Sequence, residues 1–247
     1  MRGGNSPSGK LKKRAFMNIK GIHKTSLIDF PGRISSVFFT GGCNLRCGYC
    51  HNPELACNSG CLRSYSNDEA LGFLRKRRGL IDGVTISGGE PTISGNLESF
   101  ISAVKEMSMA VKIDTNGLNP AAVSRLVENG LIDYVAIDIK TSPQKYDFVV
   151  GRHVDFSRVV ETVGIVRSSG LEYELRTTCI PRYVTLEDFG SIGETLGRVK
   201  RYFLQQFVPD VTLDESFHDL LPYPVETLRV FREYVSTFAE LCELRGV

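Results

Sequence analysis

The stretch SSVFFTGGCNLRCGYCHN, residues 35–52, joins a short apolar run to three closely spaced cysteines. Its first six residues indicate a buried strand, because β-branched and aromatic residues favour strands. Cys43, Cys47 and Cys50 follow with the spacing C-x3-C-x2-C. A closed zinc site or iron–sulfur cluster normally uses four protein ligands. Either the fourth ligand lies elsewhere in the chain, or one coordination position is left open.

The bulk composition is that of an ordinary globular protein. The chain has 247 residues, of which 42% are hydrophobic and 23% are charged, and its formal net charge is +2. This length suits one large domain or two small ones. The charge gives no indication of nucleic acid or of an anionic membrane as a partner. No apolar run approaches the roughly 18 residues that span a bilayer.

The N-terminal segment differs in composition from the rest of the chain. Residues 1–16 are basic and rich in Gly, Ser and Lys, and they lack the apolar core of a signal peptide. We expect a disordered extension there, followed by a single functional domain over residues 17–247 that starts at Met17. The expected compartment is the cytoplasm, where seven cysteines indicate metal or redox chemistry rather than disulfides.

Short apolar segments alternate with helical segments along the chain. Strands are predicted at 35–40, 83–87, 110–115, 134–140, 173–180 and 201–207. Several of them are continuous apolar runs, as expected for a parallel sheet that is buried on both faces. Eight such units close a full barrel. The six units found here therefore predict an α/β fold with a partial, open (β/α)6 barrel of the TIM type.

The C-terminal segment PVETLRVFREYVSTFAELCEL is predicted to form one helix. Leu228, Phe231, Val235, Phe238 and Cys242 recur there at helical spacing and form an apolar stripe. Core packing is the expected role of this stripe, and docking of a partner is the alternative.

Polar residues follow or end the predicted strands. Besides the cysteines, they are the segments 87–91 and 114–117, with Asp138, Lys140, Arg176, Gln205 and Gln206. In parallel barrels the C-terminal ends of the strands carry the chemistry. We therefore expect side chains from six separate segments to meet at one rim of the barrel.

Two kinds of metal site fit the cysteine motif. Three thiolates can hold three irons of a 4Fe–4S cluster and leave the fourth iron open to another chelator. A zinc site with His51 as fourth ligand is the alternative, but Cys50 and His51 are adjacent, which hinders tetrahedral ligation of one ion by both. An electron-carrying ferredoxin would require a fourth cysteine at short spacing.

The cysteine motif, followed by GGE after the next predicted strand, resembles the radical S-adenosylmethionine (radical SAM) superfamily. Further segments resemble the glycyl-radical-enzyme activases, and most of all the activating proteins of anaerobic ribonucleoside-triphosphate reductases. They are GIHKTSLIDFPG, CGYCHNPEL, SGGEPT, DTNG, AIDIK and LRTT, and they run from residue 18 to about 208. The three-cysteine motif is highly specific in this setting.

The resemblance implies a role for each residue that matches the motifs. Cys43, Cys47 and Cys50 would hold one 4Fe–4S cluster, whose open iron is chelated by the amino and carboxylate groups of S-adenosylmethionine. The other implied contacts all involve that ligand. Gly88, Gly89 and Glu90 would meet its amine, Lys140 and Arg176 its carboxylate, and Tyr49 would lie near its adenine. Asp114, Thr115 and Asp138 would contact a ribose hydroxyl, the methionyl group or a monovalent cation. A structural salt bridge is the competing interpretation for Lys140 and Arg176.

The implied activity is formation of a radical on another protein. A flavodoxin or ferredoxin would supply one electron, S-adenosylmethionine would be cleaved reductively, and a hydrogen would be taken from a glycine of a glycyl radical enzyme. Three alternatives remain open at this point. They are an activating enzyme of the pyruvate formate-lyase type, a radical enzyme with a small substrate such as a 7-carboxy-7-deazaguanine synthase, and a metal-stapled binding protein without catalysis.

The chain also departs from its relatives. Activases of the pyruvate formate-lyase type carry a histidine in a Pro-Tyr-His-like segment, where this chain reads LLPYPVETL. Some activases insert a cysteine-rich ferredoxin module after the first motif, whereas this chain has only Cys57 and Cys61. Cys179 in a predicted strand and Cys242 in the predicted last helix are expected to be small core residues. No second cluster is therefore predicted.

Overall fold

The computed structural model describes residues 17–247, so the predicted extension over residues 1–16 lies outside the described residues. One sheet of eight strands runs in the order β1-β2-β3-β4-β5-β6-β7-β8. The strands are β1 Ile19–Ser26, β2 Ser35–Thr40, β3 Gly83–Gly88, β4 Ala110–Thr115, β5 Tyr134–Asp138, β6 Glu172–Cys179, β7 Val199–Gln206 and β8 Ala239–Arg245. β1 pairs antiparallel with β2, and every later neighbouring pair is parallel.

Helices connect the parallel strands. They are α1 Pro53–Ala56, α2 Asn67–Arg75, α3 Leu97–Lys105, α4 Pro120–Glu128, α5 Tyr146–Val150, α6 Ser157–Ser169, α7 Leu186–Leu196 and α8 Val225–Val235. Ser66 and Glu69 form a capping box at the start of α2, which satisfies two backbone donors that the helix leaves free. Within residues 17–247, no helix combines the length and the apolar composition that crossing a membrane requires.

The predicted fold class is confirmed. All six predicted strands are present as β2 to β7, each within a few residues of the predicted bounds. Their residues are buried on both faces, as in β2, where Val37 and Phe38 are at most 2% exposed. The sheet therefore forms the inner layer of an α/β structure, and its helices pack outside it, as in a barrel.

The sheet contains two strands that the sequence pattern does not predict, β1 and β8. β1 covers one edge of the predicted set, where Ile22 pairs with Phe38 and His23 with Val37. At the other edge, β8 pairs with β7 from Val199 opposite Ala239 to Gln205 opposite Arg245. Because an unpaired edge of a sheet exposes backbone donors and acceptors, both additions satisfy hydrogen bonds that six strands alone would leave free.

The prediction of one C-terminal helix is wrong beyond Val235. α8 ends at Val235, Phe238 lies in the turn that follows, and Cys242 lies in β8. Leu228, Phe231 and Val235 do face the core, so the stripe is genuine within α8. Periodicity alone extended the helix too far, because pairing with the free edge of β7 outweighs local helix propensity.

β8 is tied to the interior of the sheet by a buried ion pair. Arg245 donates to both carboxylate oxygens of Glu174 in β6, at 3.0 Å each. Glu174 is 1% exposed and also accepts a hydrogen bond from the Tyr134 hydroxyl at 3.0 Å. The Arg245 guanidinium lies 3.4 Å from the centre of the Phe203 ring in β7, a distance suited to a cation–π contact. This cluster fixes the last strand both to β7, its neighbour, and to β6, one strand further in.

Replacing Arg245 with Ala should destabilise the protein, because it leaves the buried Glu174 carboxylate without its main partner. Breaking a buried ion pair from one side costs about 3 kcal/mol. In a protein of this size that corresponds to a thermal midpoint lower by roughly 6–12 °C. Arg229→Ala is the matched control, since Arg229 and Glu226 are exposed and their closest charged atoms are 3.9 Å apart. Equal thermal midpoints for the two variants would contradict the role given to Arg245.

Candidate active site

All twelve residues implied by the resemblance line one cavity of about 340 Å³. They are Cys43, Cys47, Tyr49, Cys50, Gly88, Gly89, Glu90, Asp114, Thr115, Asp138, Lys140 and Arg176. The cavity lies at the C-terminal ends of β2 to β6, which is where the chemistry of parallel barrels is found. Its volume is within the range of small-ligand sites, roughly 300–1,000 Å³.

The cysteine loop is held by backbone hydrogen bonds to two helical segments. The Gly42 and Cys43 amides donate to the carbonyls of Leu55 and Ala56 in α1, at 2.7 and 3.1 Å. The Arg46 amide donates to the carbonyl of Val150 in α5 at 2.8 Å. The loop is therefore a fixed part of the cavity wall, and the three thiols are presented by a rigid backbone.

The electrostatics of this loop favour the neutral forms of the Cys43 and Cys47 thiols in the absence of a metal. Burial raises the pKa of Cys43 to about 11. Burial also raises the pKa of Cys47, against a smaller opposing effect of the Lys140 ammonium. Metal ligation deprotonates a cysteine, because the thiolate is the ligand and the metal charge stabilises it. Cluster binding would therefore release protons from this loop.

Three thiols on one cavity are the donor set that an iron–sulfur cluster uses. Among residues 17–247, no three His, Cys, Asp or Glu side chains converge as the ligands of one metal ion would. A 4Fe–4S cluster makes a different demand, because each thiolate binds a separate iron. His51, the zinc ligand of the alternative interpretation, also lines the cavity, and burial lowers the pKa of its ring.

Gly88 and Gly89 allow the loop after β3 to touch the cysteine loop. Gly88 has φ +116°, and a Cβ at this position would lie 2.4 Å from the Thr40 backbone nitrogen. A Cβ on Gly89 would lie 2.0 Å from the Gly42 carbonyl oxygen. The close contact between these two segments thus requires glycine at both positions. This requirement is independent of any contact that the same backbone makes with a ligand.

Glu90 is buried rather than solvated. It is 1% exposed, and its carboxylate accepts hydrogen bonds from the Thr92 hydroxyl at 2.6 Å, the Thr115 hydroxyl at 2.7 Å and the Asn116 amide at 2.7 Å. Burial raises the pKa of Glu90, and these hydrogen bonds oppose the rise. The carboxylate therefore joins the loop after β3 to the loop after β4.

The charged residues at the ends of β4, β5 and β6 form a chain of ion pairs. Asp138 accepts from Lys140 at 3.0 Å and from Arg176 at 2.8 Å. Arg176 also lies 3.3 Å from Asp114, which in turn pairs with the buried Lys112. The competing interpretation of Lys140 and Arg176 as structural salt-bridge residues thus describes real contacts, and both side chains still line the cavity.

These pairs keep the carboxylates ionised. Burial alone would raise the pKa of Asp138, but Arg176 and Lys140 outweigh it and hold that pKa well below its usual range. Asp114 follows the same pattern, with Arg176 and Lys112 lowering its pKa against the effect of burial. The floor of the cavity therefore carries fixed charges of both signs at neutral pH.

Some residues of the cavity were missed, and two predicted ones lie elsewhere. Asp29, from the turn between β1 and β2, lines the cavity and was not predicted, whereas Asn116, within the predicted segment 114–117, donates from its side chain to Asn44 in the cysteine loop at 2.7 Å. Gln205 lines a neighbouring cavity, and Gln206 donates to the Tyr223 carbonyl at 2.8 Å. Lys112, a charged residue within the apolar strand AVKIDT, was the one member of the ion-pair chain that the sequence analysis did not name.

Comparison with known proteins identifies the class. Residues 37–196 match the model of the radical SAM superfamily. A protein of Methanocaldococcus jannaschii, provisionally named a glycyl-radical enzyme activating enzyme, is 35% identical over 84% of this chain and 87% of its own. The pyruvate formate-lyase-activating enzyme of Streptococcus mutans is 28% identical over 82% of this chain and 81% of its own.

Solved structures agree on the fold. SuiB of Streptococcus suis, solved with its precursor peptide SuiA, superposes with a TM-score of 0.66 at 17% identity. The superposition covers 85% of this chain and 48% of SuiB, so this chain spans about half of that protein. At this level of identity the likeness concerns the fold alone.

The chain therefore belongs to the radical SAM superfamily and, within it, to the family of glycyl-radical-enzyme activating enzymes. It is an enzyme of radical SAM redox chemistry, whose family cofactors are a 4Fe–4S cluster and S-adenosylmethionine. A non-catalytic binding protein stabilised by a metal ion would not account for the match to the radical SAM superfamily and to an activating enzyme.

Replacing Gly89 with Ala should impair cluster assembly, because the new Cβ would overlap the Gly42 carbonyl and displace the cysteine loop. We expect less than half of the wild-type iron per chain after anaerobic reconstitution, measured by iron analysis and visible absorption. Gly72→Ala in α2 is the control, since its added Cβ would have no atom within 4 Å apart from its chain neighbours and the backbone of its own helix. Full iron content in the Gly89 variant would show that the loop contact is dispensable.

Proposed function

We propose that this enzyme generates a glycyl radical on a partner protein, and that the partner is an anaerobic ribonucleoside-triphosphate reductase. The main observation in support is the convergence of three thiols and nine further motif residues on one cavity, in a chain of the activating-enzyme family. The choice of partner rests on the resemblance of the segments quoted above. The second candidate is a pyruvate formate-lyase-type enzyme, which the name of the Streptococcus mutans relative favours.

Each part of the cavity has a proposed task. Cys43, Cys47 and Cys50 hold the cluster, which when bound supplies the electron for reductive cleavage of S-adenosylmethionine. Arg176 and Lys140 orient the carboxylate of that ligand, Arg176 with the planar geometry that suits a carboxylate. The remaining contacts are assigned as the resemblance implies. Gly88, Gly89 and Glu90 meet the amine of the ligand, and Tyr49 lies near its adenine. Asp114, Thr115 and Asp138 contact the ribose, the methionyl group or a monovalent cation. The proposed electron donor is a flavodoxin or ferredoxin.

A protein substrate needs a path to this cavity, and a second cavity of about 720 Å³ adjoins it. The two cavities share Asp29, Asp138, Arg176 and Thr178. The outer wall of the second cavity comes from both ends of the sheet, with Ile28 beside β1 and Arg245 at the end of β8. β1 and β8 do not pair with each other among the described strands, so we propose this gap as the route for the glycine-bearing segment.

The direct test is radical formation on a purified partner. The reconstituted enzyme, S-adenosylmethionine, a chemical reductant and either an anaerobic ribonucleoside-triphosphate reductase or a pyruvate formate-lyase are mixed without oxygen. We expect the doublet of a glycyl radical in the electron paramagnetic resonance spectrum with the reductase. A doublet with the lyase alone would identify the second candidate, and cleavage of S-adenosylmethionine with neither radical would favour a small-molecule substrate.

Cysteine variants provide the internal control for that experiment. Cys43→Ala, Cys47→Ala and Cys50→Ala should each abolish cluster assembly and cleavage of S-adenosylmethionine, because each removes an iron ligand. Cys57→Ala and Cys61→Ala should retain both, since these two thiols are exposed and do not line the cavity. Loss of iron from the Cys57 variant would refute the ligand assignment.

The gap between β1 and β8 makes a separate prediction. Leu27 and Ile28 are 73% and 86% exposed beside it, and such apolar exposure often marks an interaction site. Ile28→Asp should lower the ratio of partner-dependent radical formation to partner-independent cleavage about tenfold, as burying one unpaired charge at an interface costs more than 1.4 kcal/mol. Leu80→Asp, exposed to 64% after α2, should leave the ratio unchanged. Equal ratios in the two variants would place the partner elsewhere.

A further inference from the structure

The wall of the second cavity is formed mainly by strands β4 to β8, and the charged groups of these strands are already paired with one another. The strand residues that take part in these ion pairs are Lys112, Asp138, Glu174, Arg176 and Arg245. Two neutral hydrogen-bonding side chains complete the strand part of the wall, Thr178 of β6 and Gln205 of β7.

Each of these two neutral residues has an identical neighbour in the sequence that serves the fold instead. The Thr177 hydroxyl shares a hydrogen bond with the Tyr202 hydroxyl at 2.7 Å, and Gln206 donates to a main-chain carbonyl at 2.8 Å. Successive side chains of a strand point to opposite faces, so Thr178 and Gln205 face the cavity. Within residues 17–247, neither the hydroxyl of Thr178 nor the carboxamide of Gln205 has a hydrogen-bond partner in the chain.

Thr178 and Gln205 lie side by side in a row that crosses the sheet. Thr178 is opposite Gln205 in the pairing of β6 with β7, and Gln205 is opposite Arg245 in the pairing of β7 with β8. The row is therefore two interstrand distances long, or roughly 10 Å, which is the length of about three extended residues. Thr178 also lines the cavity of the three thiols, whereas Arg245 lies on the last strand. The row thus leads from the gap in the sheet to the first cavity.

The chemistry of this row suits a main chain. A glycine has no side chain to recognise, so the groups that mark its position are the N–H and C=O groups of the peptide bonds around it. A carboxamide carries donors and an acceptor in one plane, and a hydroxyl can donate and accept. Gln205 can therefore pair with both an N–H and a C=O of an extended segment, and Thr178 can bind one further group.

We propose that Thr178 and Gln205 bind the main chain of the glycine-bearing segment of the partner protein through hydrogen bonds to its peptide groups. Thr178, which lines both cavities, lies next to the glycine, and Gln205 binds the segment nearer to the gap. Both are positioning residues, because they hold the segment and take no part in bond cleavage. The inference rests on the proposed function, since it requires a protein segment that enters between β1 and β8, and it holds for either partner.

The two pairs of identical neighbours supply matched variants. Thr178→Val and Gln205→Met replace the cavity-facing side chains with side chains of similar size that have no hydrogen-bonding group. Thr177→Val and Gln206→Met make the same changes one position away, on the opposite face of the same strands. Iron content and affinity for S-adenosylmethionine are measured first, and all four variants should retain both.

The main measurement is the rate of glycyl radical formation as a function of the concentration of the partner protein. We expect Thr178→Val and Gln205→Met each to raise the half-saturating concentration about tenfold, because a peptide group of the bound segment loses its partner. The maximal rate should change less, since these hydrogen bonds form in the ground state as well as in the transition state. Thr177→Val and Gln206→Met should keep the wild-type value. Equal half-saturating concentrations in all four variants would overturn the proposal.

Thermal unfolding should show the opposite pattern. Thr177→Val and Gln206→Met each remove a hydrogen bond within the fold and should lower the thermal midpoint by roughly 2–4 °C. Thr178→Val and Gln205→Met remove none and should leave the midpoint unchanged. A midpoint lowered as much in Gln205→Met as in Gln206→Met would show that Gln205 has a structural role.

Failure of this inference is distinguishable from failure of the proposed function. If Ile28→Asp lowers partner-dependent radical formation while Thr178→Val and Gln205→Met behave as their controls do, the route stands and the main-chain contacts are refuted. If Ile28→Asp has no effect, or no partner acquires a radical, the route is refuted and the contacts with it. A weaker affinity for S-adenosylmethionine in Thr178→Val, with an unchanged half-saturating concentration of partner, would instead assign the Thr178 hydroxyl to that ligand.

Discussion

The contact between the cysteine loop and the loop after β3 is the constraint on which the site depends. The amides of Gly89 and Glu90 donate to the carbonyls of Thr40 and Gly42, each at 2.8 Å. This spacing leaves no room for a side chain at Gly89, and the next residue turns inward as a buried carboxylate. Because Glu90 then binds the loop after β4, one short segment fixes three strand ends relative to one another.

The second layer of organisation is electrostatic. Five charged residues of alternating sign form ion pairs across three adjacent strands. In order they are Lys112, Asp114, Arg176, Asp138 and Lys140. Burying such pairs contributes little to stability, because desolvation offsets their attraction. Their value lies in fixed orientation, since preorganised charges need no rearrangement when a ligand binds. S-adenosylmethionine carries a carboxylate, an ammonium and a sulfonium, and a cavity with fixed charges of both signs is suited to such a ligand.

The sequence allowed the six central strands and the twelve motif residues that line the cavity to be predicted, because both follow from local patterns. Buried parallel strands are continuous apolar runs, and the motif residues directly follow them. β1 and β8 were not predicted, because apolar and polar residues alternate only weakly along them. Their pairing also depends on sheet edges that exist only after the central strands have assembled. The burial of Glu90 and the bidentate pair of Glu174 with Arg245, 71 residues apart, could not be predicted either, because a charge pattern does not reveal its partner.

The two missed strands are also the ones that shape access to the cavity. Exposed sheet edges invite unwanted pairing, so an open barrel has to keep both edges stable without closing the gap between them. The chain meets this demand differently at each end: β1 turns back antiparallel with irregular register on β2, whereas β8 is anchored inward through Arg245 and Glu174. Arg245 also lines the cavity that adjoins the site. The residue that secures the last strand therefore also forms part of the wall along which we propose that a protein segment reaches the cavity.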